Sequence, residues 1–431
     1  MSDFIYREEG AGPGEKKPFH VMAKPAGAVC NLNCTYCYYL EKKSLYRKND
    51  GMPLNYRMGD ELLETFIRSY IESQPGDRID FTWQGGEPTL NGLDYFKKIV
   101  AIQKKYSKGR QITNSLQTNG TLINEEWAGF LALHNFLVGI SVDGPPELHD
   151  HFRKTTQGGG SFKRVMESIK LFHRFAVPFN TLTVINDRNS RMPLKVYRFL
   201  KDIGSDYMQF IPIVERESED PAAQLRLVHH TFSGEAALTD ESVEPLEFGR
   251  FLARIFDEWV RLDVGRHYVN WFDNTLAAYA GGYPSLCTMS PVCGSALVME
   301  FNGDVYACDH FVYPAYLRGN LRDKSLEELA GDPAQHAFGM AKREQLPPEC
   351  LSCRFLRACG GDCPKHRFLE TADGGRISYL HDGFMYFFSH VEKEMEFMAG
   401  ELRNNRPPAG IMDRYTEQEK KKYRERSRYR L

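Results

Sequence analysis

Ten cysteines lie unevenly along 431 residues: Cys30, Cys34 and Cys37 fall within eight positions, none occurs from 38 to 286, and seven run from Cys287 to Cys363. The first three have the spacing C-x3-C-x2-C, and thiols this close usually hold a metal. A closed zinc site takes four donors, yet no Cys or His falls between Cys37 and His134. Three thiolates instead suit a four-iron cluster with one iron left open. The later seven are spaced Cys287-x5-Cys293-x9-Gly303-x4-Cys308 and then Cys350-x2-Cys353-x5-Cys359-x3-Cys363. A zinc ribbon could use Cys350 and Cys353 with two later cysteines, but it leaves Cys287, Cys293 and Cys308 without a role.

These thiols need a framework. Six runs read as buried strands: FHVMAKP (19–25), IDFTWQ (79–84), QITNSLQTN (111–119), LVGISVD (137–143), FNTLTVI (179–185) and YMQFIPIV (207–214). Between them lie helical patterns. In DELLETFIRSYIES, Leu62, Leu63, Phe66, Ile67, Tyr70 and Ile71 recur at helical spacing behind Asp60 as a candidate cap. In SFKRVMESIKLFHRF, Ser161 is the candidate cap and Val165, Ile169 and Phe172 share a face. Alternating strands and helices predict crossover connections and a parallel sheet. Periodicity alone leaves open whether that sheet is doubly wound or curled into a barrel. Cys30, Cys34 and Cys37 follow the first strand, on the face of a parallel α/β fold where sites assemble.

With 42% hydrophobic residues a chain of this length buries a large core. Its formal net charge of −2 gives no global pull toward nucleic acid or an anionic membrane, and neither is expected as a partner. No apolar h-region opens the chain and no run of 18 apolar residues occurs, so neither a signal peptide nor a membrane span is expected. The expected compartment is cytoplasmic, where thiols favour metal or catalytic roles over disulfides. The expected organisation is a flexible segment (1–17), a parallel α/β region (18–245), a linking helical segment (246–285), a cysteine-rich domain (286–400) and a charged tail (401–431). Positions 414–431 hold eight Lys or Arg against three Glu, which reads as a solvated tail or helix.

The triplet after the first strand, with Tyr36 just before its last cysteine, resembles the radical S-adenosylmethionine superfamily. The seven-cysteine array resembles the SPASM extension of such enzymes, which binds two auxiliary iron–sulfur clusters. Within the superfamily, KPAGAVCNLNCTYCYYLEK, TWQGGEPTL, QTNGTLI, SVDGPPELHD and ACDHFVYP are similar to anaerobic sulfatase-maturating enzymes, from about Phe19 to about Glu401. That resemblance implies an α/β fold, a partial (β/α)6 barrel followed by the SPASM domain. It implies S-adenosylmethionine and [4Fe-4S] clusters as cofactors, one radical cluster plus two auxiliary clusters. The implied reaction oxidises a Cys or Ser in a sulfatase C/S-x-P-x-R segment to Cα-formylglycine, begun by a 5′-deoxyadenosyl radical at the substrate Cβ.

Residue by residue, the resemblance gives Cys30, Cys34 and Cys37 the radical cluster. It gives Gly85, Gly86 and Glu87 the methionine amino group, since glycines permit close backbone approach and a carboxylate suits an ammonium. Ser141 and Arg153 would face the cofactor's carboxylate, Asp309 would be the proton acceptor, and Tyr39 and Gln84 would contact substrate. Cys287, Cys293, Cys308 and Cys363 would hold the first auxiliary cluster, and Cys350, Cys353 and Cys359 the second with one later cysteine. None follows Cys363; His381 stands in that place, either as an imidazole ligand or as an ordinary residue, with Asp382 or a three-ligated or absent cluster as the alternatives. The implied partners are an unfolded or nascent sulfatase peptide and an electron donor such as flavodoxin or ferredoxin. Two other readings remain: modification of another peptide, such as thioether crosslinking, and a non-catalytic zinc-binding adaptor.

Overall fold

The computed structural model describes residues 17–46, 56–223 and 225–424, so nearly all of the segment 1–17 lies outside the described residues. All six apolar runs form strands: β1 (His20–Lys24), β2 (Arg78–Trp83), β3 (Gln111–Thr118), β4 (Leu137–Ser141), β5 (Phe179–Ile185) and β6 (Tyr207–Pro212). Between them run α1 (Asp60–Ser73), α2 (Leu93–Tyr106), α3 (Glu125–Leu133), α4 (Pro146–Phe152), α5 (Phe162–Phe175) and α6 (Pro193–Asp202). The six expected apolar positions of α1 are all buried, although Gly59 rather than Asp60 occupies its cap position. At the start of α5, Ser161 stands at the cap but Asp150 does the capping, taking the Ser161 and Phe162 N–H groups at 2.8 Å.

Strand order decides the architecture. β1 to β6 lie side by side in sequence order, every neighbouring pair parallel. A doubly wound sheet needs a reversal of order, and none occurs here. Right-handed crossovers that all step the same way put every helix on one face, so the sheet curls with its helices outside. On that face Phe66 meets Phe81 and Trp83 edge-on, with ring centroids 6.0 Å apart in each pair. Fully burying aromatic side chains such as these contributes about 1.5–3 kcal/mol each.

The polar region 215–245 contains three two-residue strands, β7 (Arg216–Glu217), β8 (Leu227–Val228) and β9 (Ala237–Leu238), in the order β8-β7-β9. After α7 (Pro245–Leu262), β10 (Tyr268–Val269) pairs with β6, and α8 (Asn270–Tyr279) follows. The chain then returns to the opposite edge. β11 (Ala296–Glu300) lies parallel to β1, and β12 (Asp304–Tyr306) and β13 (Leu317–Asn320) extend the same ten-stranded sheet. The cysteine-rich part then continues through α9 (Leu326–Ala330), α10 (Pro333–Glu344), α11 (Pro348–Leu351), α12 (Leu356–Cys359), the hairpin β14 (Arg367–Glu370) and β15 (Arg376–Ser378), and α13 (His381–Arg403). Glycines let α13 and α7 touch backbone to backbone: a Cβ on Gly249 would lie 2.2 Å from the Gly383 carbonyl oxygen. This contact anchors the end of α13 that begins with His381. Among the described residues, no helix is long and apolar enough to cross a membrane.

Candidate functional site

The loop after β1 carries Cys30, Cys34 and Cys37, and two other strand ends and one helix end hold it. From β2, the Gly86 N–H donates to Gly27 O at 2.8 Å and the Glu87 N–H to Val29 O at 2.9 Å. A Cβ on Gly86 would fall 2.1 Å from Val29 O, so only glycine permits this approach. From β3, Asn119 Nδ2 donates to Cys30 Sγ at 3.5 Å, and the Leu32 N–H also points at that sulfur, at 3.3 Å. From the end of α4, Phe152 O and Lys154 O accept the Thr35 and Asn33 N–H groups. Burial pushes the Cys30 thiol up to about 11 and Cys34 up to about 12. Unliganded, these groups stay protonated thiols; metal binding is what makes them thiolates. Three converging sulfurs with N–H donors aimed at one of them fit an iron–sulfur cluster by donor type.

Beside this loop the Asp143 carboxylate is the organiser. It accepts from Arg153 Nε at 2.9 Å, from the Tyr36 hydroxyl and from the Val184 N–H. Arg153 is thereby fixed near Cys34, where its charge counters the effect of burial on that thiol. Ser141, at the end of β4, is half-buried and receives Gln117 Nε2 at 3.2 Å. Glu87 differs from the expectation of a carboxylate facing an ammonium. It is fully buried, and its oxygens accept from the Thr89 N–H and hydroxyl, the Thr118 hydroxyl and the Asn119 N–H. Glu87 clips the β2 loop to the β3 loop and leaves the partly buried Gly85–Gly86 backbone as the more accessible part of that motif.

Because Phe81 and Trp83 face the helices, the opposite parity of β2, Thr82 and Gln84, faces the barrel interior. Register carries that interior face to Met22 and Lys24 of β1 and onward to Glu300 of β11. Asp309, one residue after Cys308, enters this interior. Its carboxylate is ion-paired with Lys24 and accepts the Tyr38 hydroxyl at 2.7 Å. Burial would raise the Asp309 carboxyl, but Lys24 above all brings it down to about 2, so it is ionised. Tyr39 lies buried, with its hydroxyl donating to Glu300 and its ring centroid 3.3 Å from Lys24 Nζ. Burial pushes the Glu300 carboxyl up to about 7 despite Lys24 and Tyr39. Tyr38 and Lys24, which touch Asp309, and Asp143 and Asn119, which set the cysteine loop, carry no role in the sequence reading, although all four stand in segments that resemble the family. The one local signal was a lysine ending the otherwise apolar strand HVMAK.

The later thiols form two groups. Cys308 and Cys363 both lie within electrostatic range of Cys287, as does Cys293. Cys350, Cys353 and Cys359 line a small recess together with His381, Phe384, Met385 and Phe388. His381 Nε2 is 3.7 Å from Glu349 Oε1, and its side chain is partly exposed. A zinc site needs four donors at about 2.0–2.3 Å from one ion. Among the described residues, no three His, Cys, Asp or Glu are placed to hold such an ion. By donor type, three thiols and an imidazole around one recess suit a multi-iron cluster.

The chain matches the family model of the radical SAM superfamily over residues 25–200 and that of the SPASM iron–sulfur cluster-binding domain over residues 287–354. It is 49% identical over 397 residues to a serine-type anaerobic sulfatase-maturating enzyme from Bacteroides thetaiotaomicron, covering 92% of this chain and 95% of that one. It is 33% identical to a cysteine-type anaerobic sulfatase-maturating enzyme from Clostridium perfringens, covering 90% of this chain and 100% of that one. A solved structure described as native anSMEcpe with bound AdoMet and Cp18Cys peptide superimposes with a TM-score of 0.77 at 32% identity, covering 89% of this chain and 99% of the other.

Proposed function

Because this chain belongs to the anaerobic sulfatase-maturating enzymes, radical S-adenosylmethionine proteins with a SPASM domain, we propose a residue-level account of how it oxidises a sulfatase Cys or Ser to Cα-formylglycine. Cys30, Cys34 and Cys37 hold the radical cluster. The Gly85–Gly86 backbone, Ser141 and Arg153 hold the amino-acid end of S-adenosylmethionine, and Glu87 fixes the loop that presents those glycines. When bound and reduced, this cofactor pair supplies the radical that takes one hydrogen atom from the substrate Cβ.

Asp309 takes the thiol or hydroxyl proton. As an electron leaves the substrate, that proton becomes strongly acidic, so a carboxylate held near 2 is base enough. Loss of one hydrogen atom, one proton and one electron gives the aldehyde from serine. From cysteine it gives a thioaldehyde, which water converts to the aldehyde with release of sulfide. Tyr39 and Gln84 shape the barrel mouth for the peptide. Cys287, Cys293, Cys308 and Cys363 hold the first auxiliary cluster, and Cys350, Cys353, Cys359 and His381 the second. A flavodoxin- or ferredoxin-type donor supplies the priming electron. All ten cysteines are free, which suits a reducing cytoplasm.

The observation that carries this account is the Lys24–Asp309 pair, which sets an ionised carboxylate on the interior face beside the cysteine loop. Anaerobic incubation with C-x-P-x-R and S-x-P-x-R peptides, read by mass spectrometry, should yield the aldehyde from at least one. An intact thioether-linked product, or no product from a fully iron-loaded enzyme, would overturn it. For His381, Mössbauer spectra of His381→Ala should lose the signature of one auxiliary cluster, and His381→Cys should keep its iron. Unchanged spectra and iron content in His381→Ala would remove this residue from the ligand set.

A further inference from the structure

Two buried cations lie in the cysteine-rich domain with no carboxylate within ion-pair distance among the described residues. Lys342, on α10, is 1% exposed, and its Nζ donates to Cys287 O at 2.6 Å and Thr288 O at 2.9 Å. Arg367, at the start of β14, is 5% exposed and donates only to backbone carbonyls: Gly361 at 2.7 Å, Asp362 at 3.0 Å, Gly360 at 3.4 Å and that of Lys342 itself. The nearby Asp362 carboxylate is already taken by Ser378 Oγ at 2.7 Å and His366 Nδ1 at 2.8 Å. An uncompensated buried charge costs several kcal/mol, roughly, so a fold that keeps two has a counter-charge for them.

The thiols supply it for Lys342 and add to the Asp362 carboxylate for Arg367. Lys342 is within electrostatic range of Cys287, Cys363 and Cys293, and Arg367 within range of Asp362 and then of Cys363, Cys350 and Cys359. Arg367 also backs directly onto the second recess: a Cβ on Gly361, which lines that recess, would be 2.7 Å from its Nη2. Four thiolates around a [4Fe-4S] core, or three with a neutral imidazole, leave net negative charge, and a fixed cation beside it favours the reduced, more negative form.

We propose that Lys342 and Arg367 form a buried cationic bridge between the two auxiliary cluster sites, neutralising both and raising their reduction potentials so that they accept the electron leaving the substrate. Lys342 acts on the first site and Arg367 on both; they are positioning residues that touch neither substrate nor S-adenosylmethionine. The inference rests on the auxiliary-cluster assignment above, and iron counting of the wild-type holoenzyme tests that assignment separately.

EPR-monitored potentiometric titration of the reconstituted holoenzyme reads the bridge. Lys342→Met should make reduction of one auxiliary cluster at least tenfold less favourable, a shift of about 59 mV to more negative potential for one electron. Arg367→Met should lower both auxiliary potentials. The cluster on Cys30, Cys34 and Cys37 should stay at its wild-type potential in each variant, and Lys342→Arg should restore the first shift. Fully loaded Met variants with wild-type potentials would overturn the inference. Should Lys342→Met lose auxiliary iron, retention by Lys342→Arg supports the charge role, and equal loss in both overturns it. A wild type without auxiliary clusters would instead refute the underlying assignment.

Discussion

Asp309→Asn should lower the rate of formylglycine formation by about 10²–10⁴-fold, the usual contribution of a positioned proton acceptor. Asn keeps one oxygen for the Tyr38 hydroxyl, which Asp309 accepts at 2.7 Å, and replaces the other, which pairs with Lys24, by an NH2 donor, so the charge and one acceptor are lost. Lys24 loses one ion-pair partner but keeps its register neighbour Glu300, which offsets part of the cost. The measurement is peptide oxidation beside 5′-deoxyadenosine formation. Oxidation should fall while cofactor cleavage continues, and near-wild-type formylglycine yield would remove Asp309 from the proton-accepting role. A thermal melt shows whether the variant has lost its fold instead.

Gly86→Ala should suppress cofactor cleavage by about 10²-fold or more, because misplacing a reacting group by about 1 Å has that effect. The added Cβ would meet Val29 O at 2.1 Å, Val29 C at 2.5 Å and Ala28 C at 2.9 Å, all of them backbone atoms. No side-chain rotation relieves this, so the loop bearing Cys30 must move away from the β2 end. Overpacking of this kind also destabilises by about 1–3 kcal/mol. Gly59→Ala is the control, since nothing lies within 4 Å of a Cβ there, and its activity should match wild type. Equal 5′-deoxyadenosine rates in Gly86→Ala and wild type would show that this close approach does not set the cofactor geometry.

The local part of the fold was legible in one chain. The α1 face, Leu62 through Ile71, is buried as its spacing predicts, since helical period and burial are the same property read two ways. Capping was less legible. Asp150, eleven residues before Ser161 and on another element, captured the N–H groups that a local reading assigns to the cap itself. Glu87 shows the same limit at the site. Its motif marked the right loop, but the direction of its carboxylate depended on donors from Thr118 and Asn119, at the end of the next strand.

Three clustered thiols, their place after a strand, six buried strands and the spacing of the seven later cysteines are all properties of neighbouring residues; that the array lacks a last cysteine is what the resemblance implies. The sheet order, and so the barrel, came from which strands pair, every crossover stepping the same way, and no window of sequence contains that. The same holds for Asp309. It reaches Lys24 across 285 residues only because β11 returns to pair with β1. Likewise, His381 shares a recess with Cys350, Cys353 and Cys359 because Gly249 and Gly383 let two distant helices touch. Ligand type is chemistry held in the residue itself; which residues share a cavity is decided by long-range packing, whose partners are chosen by shape and register across the whole chain.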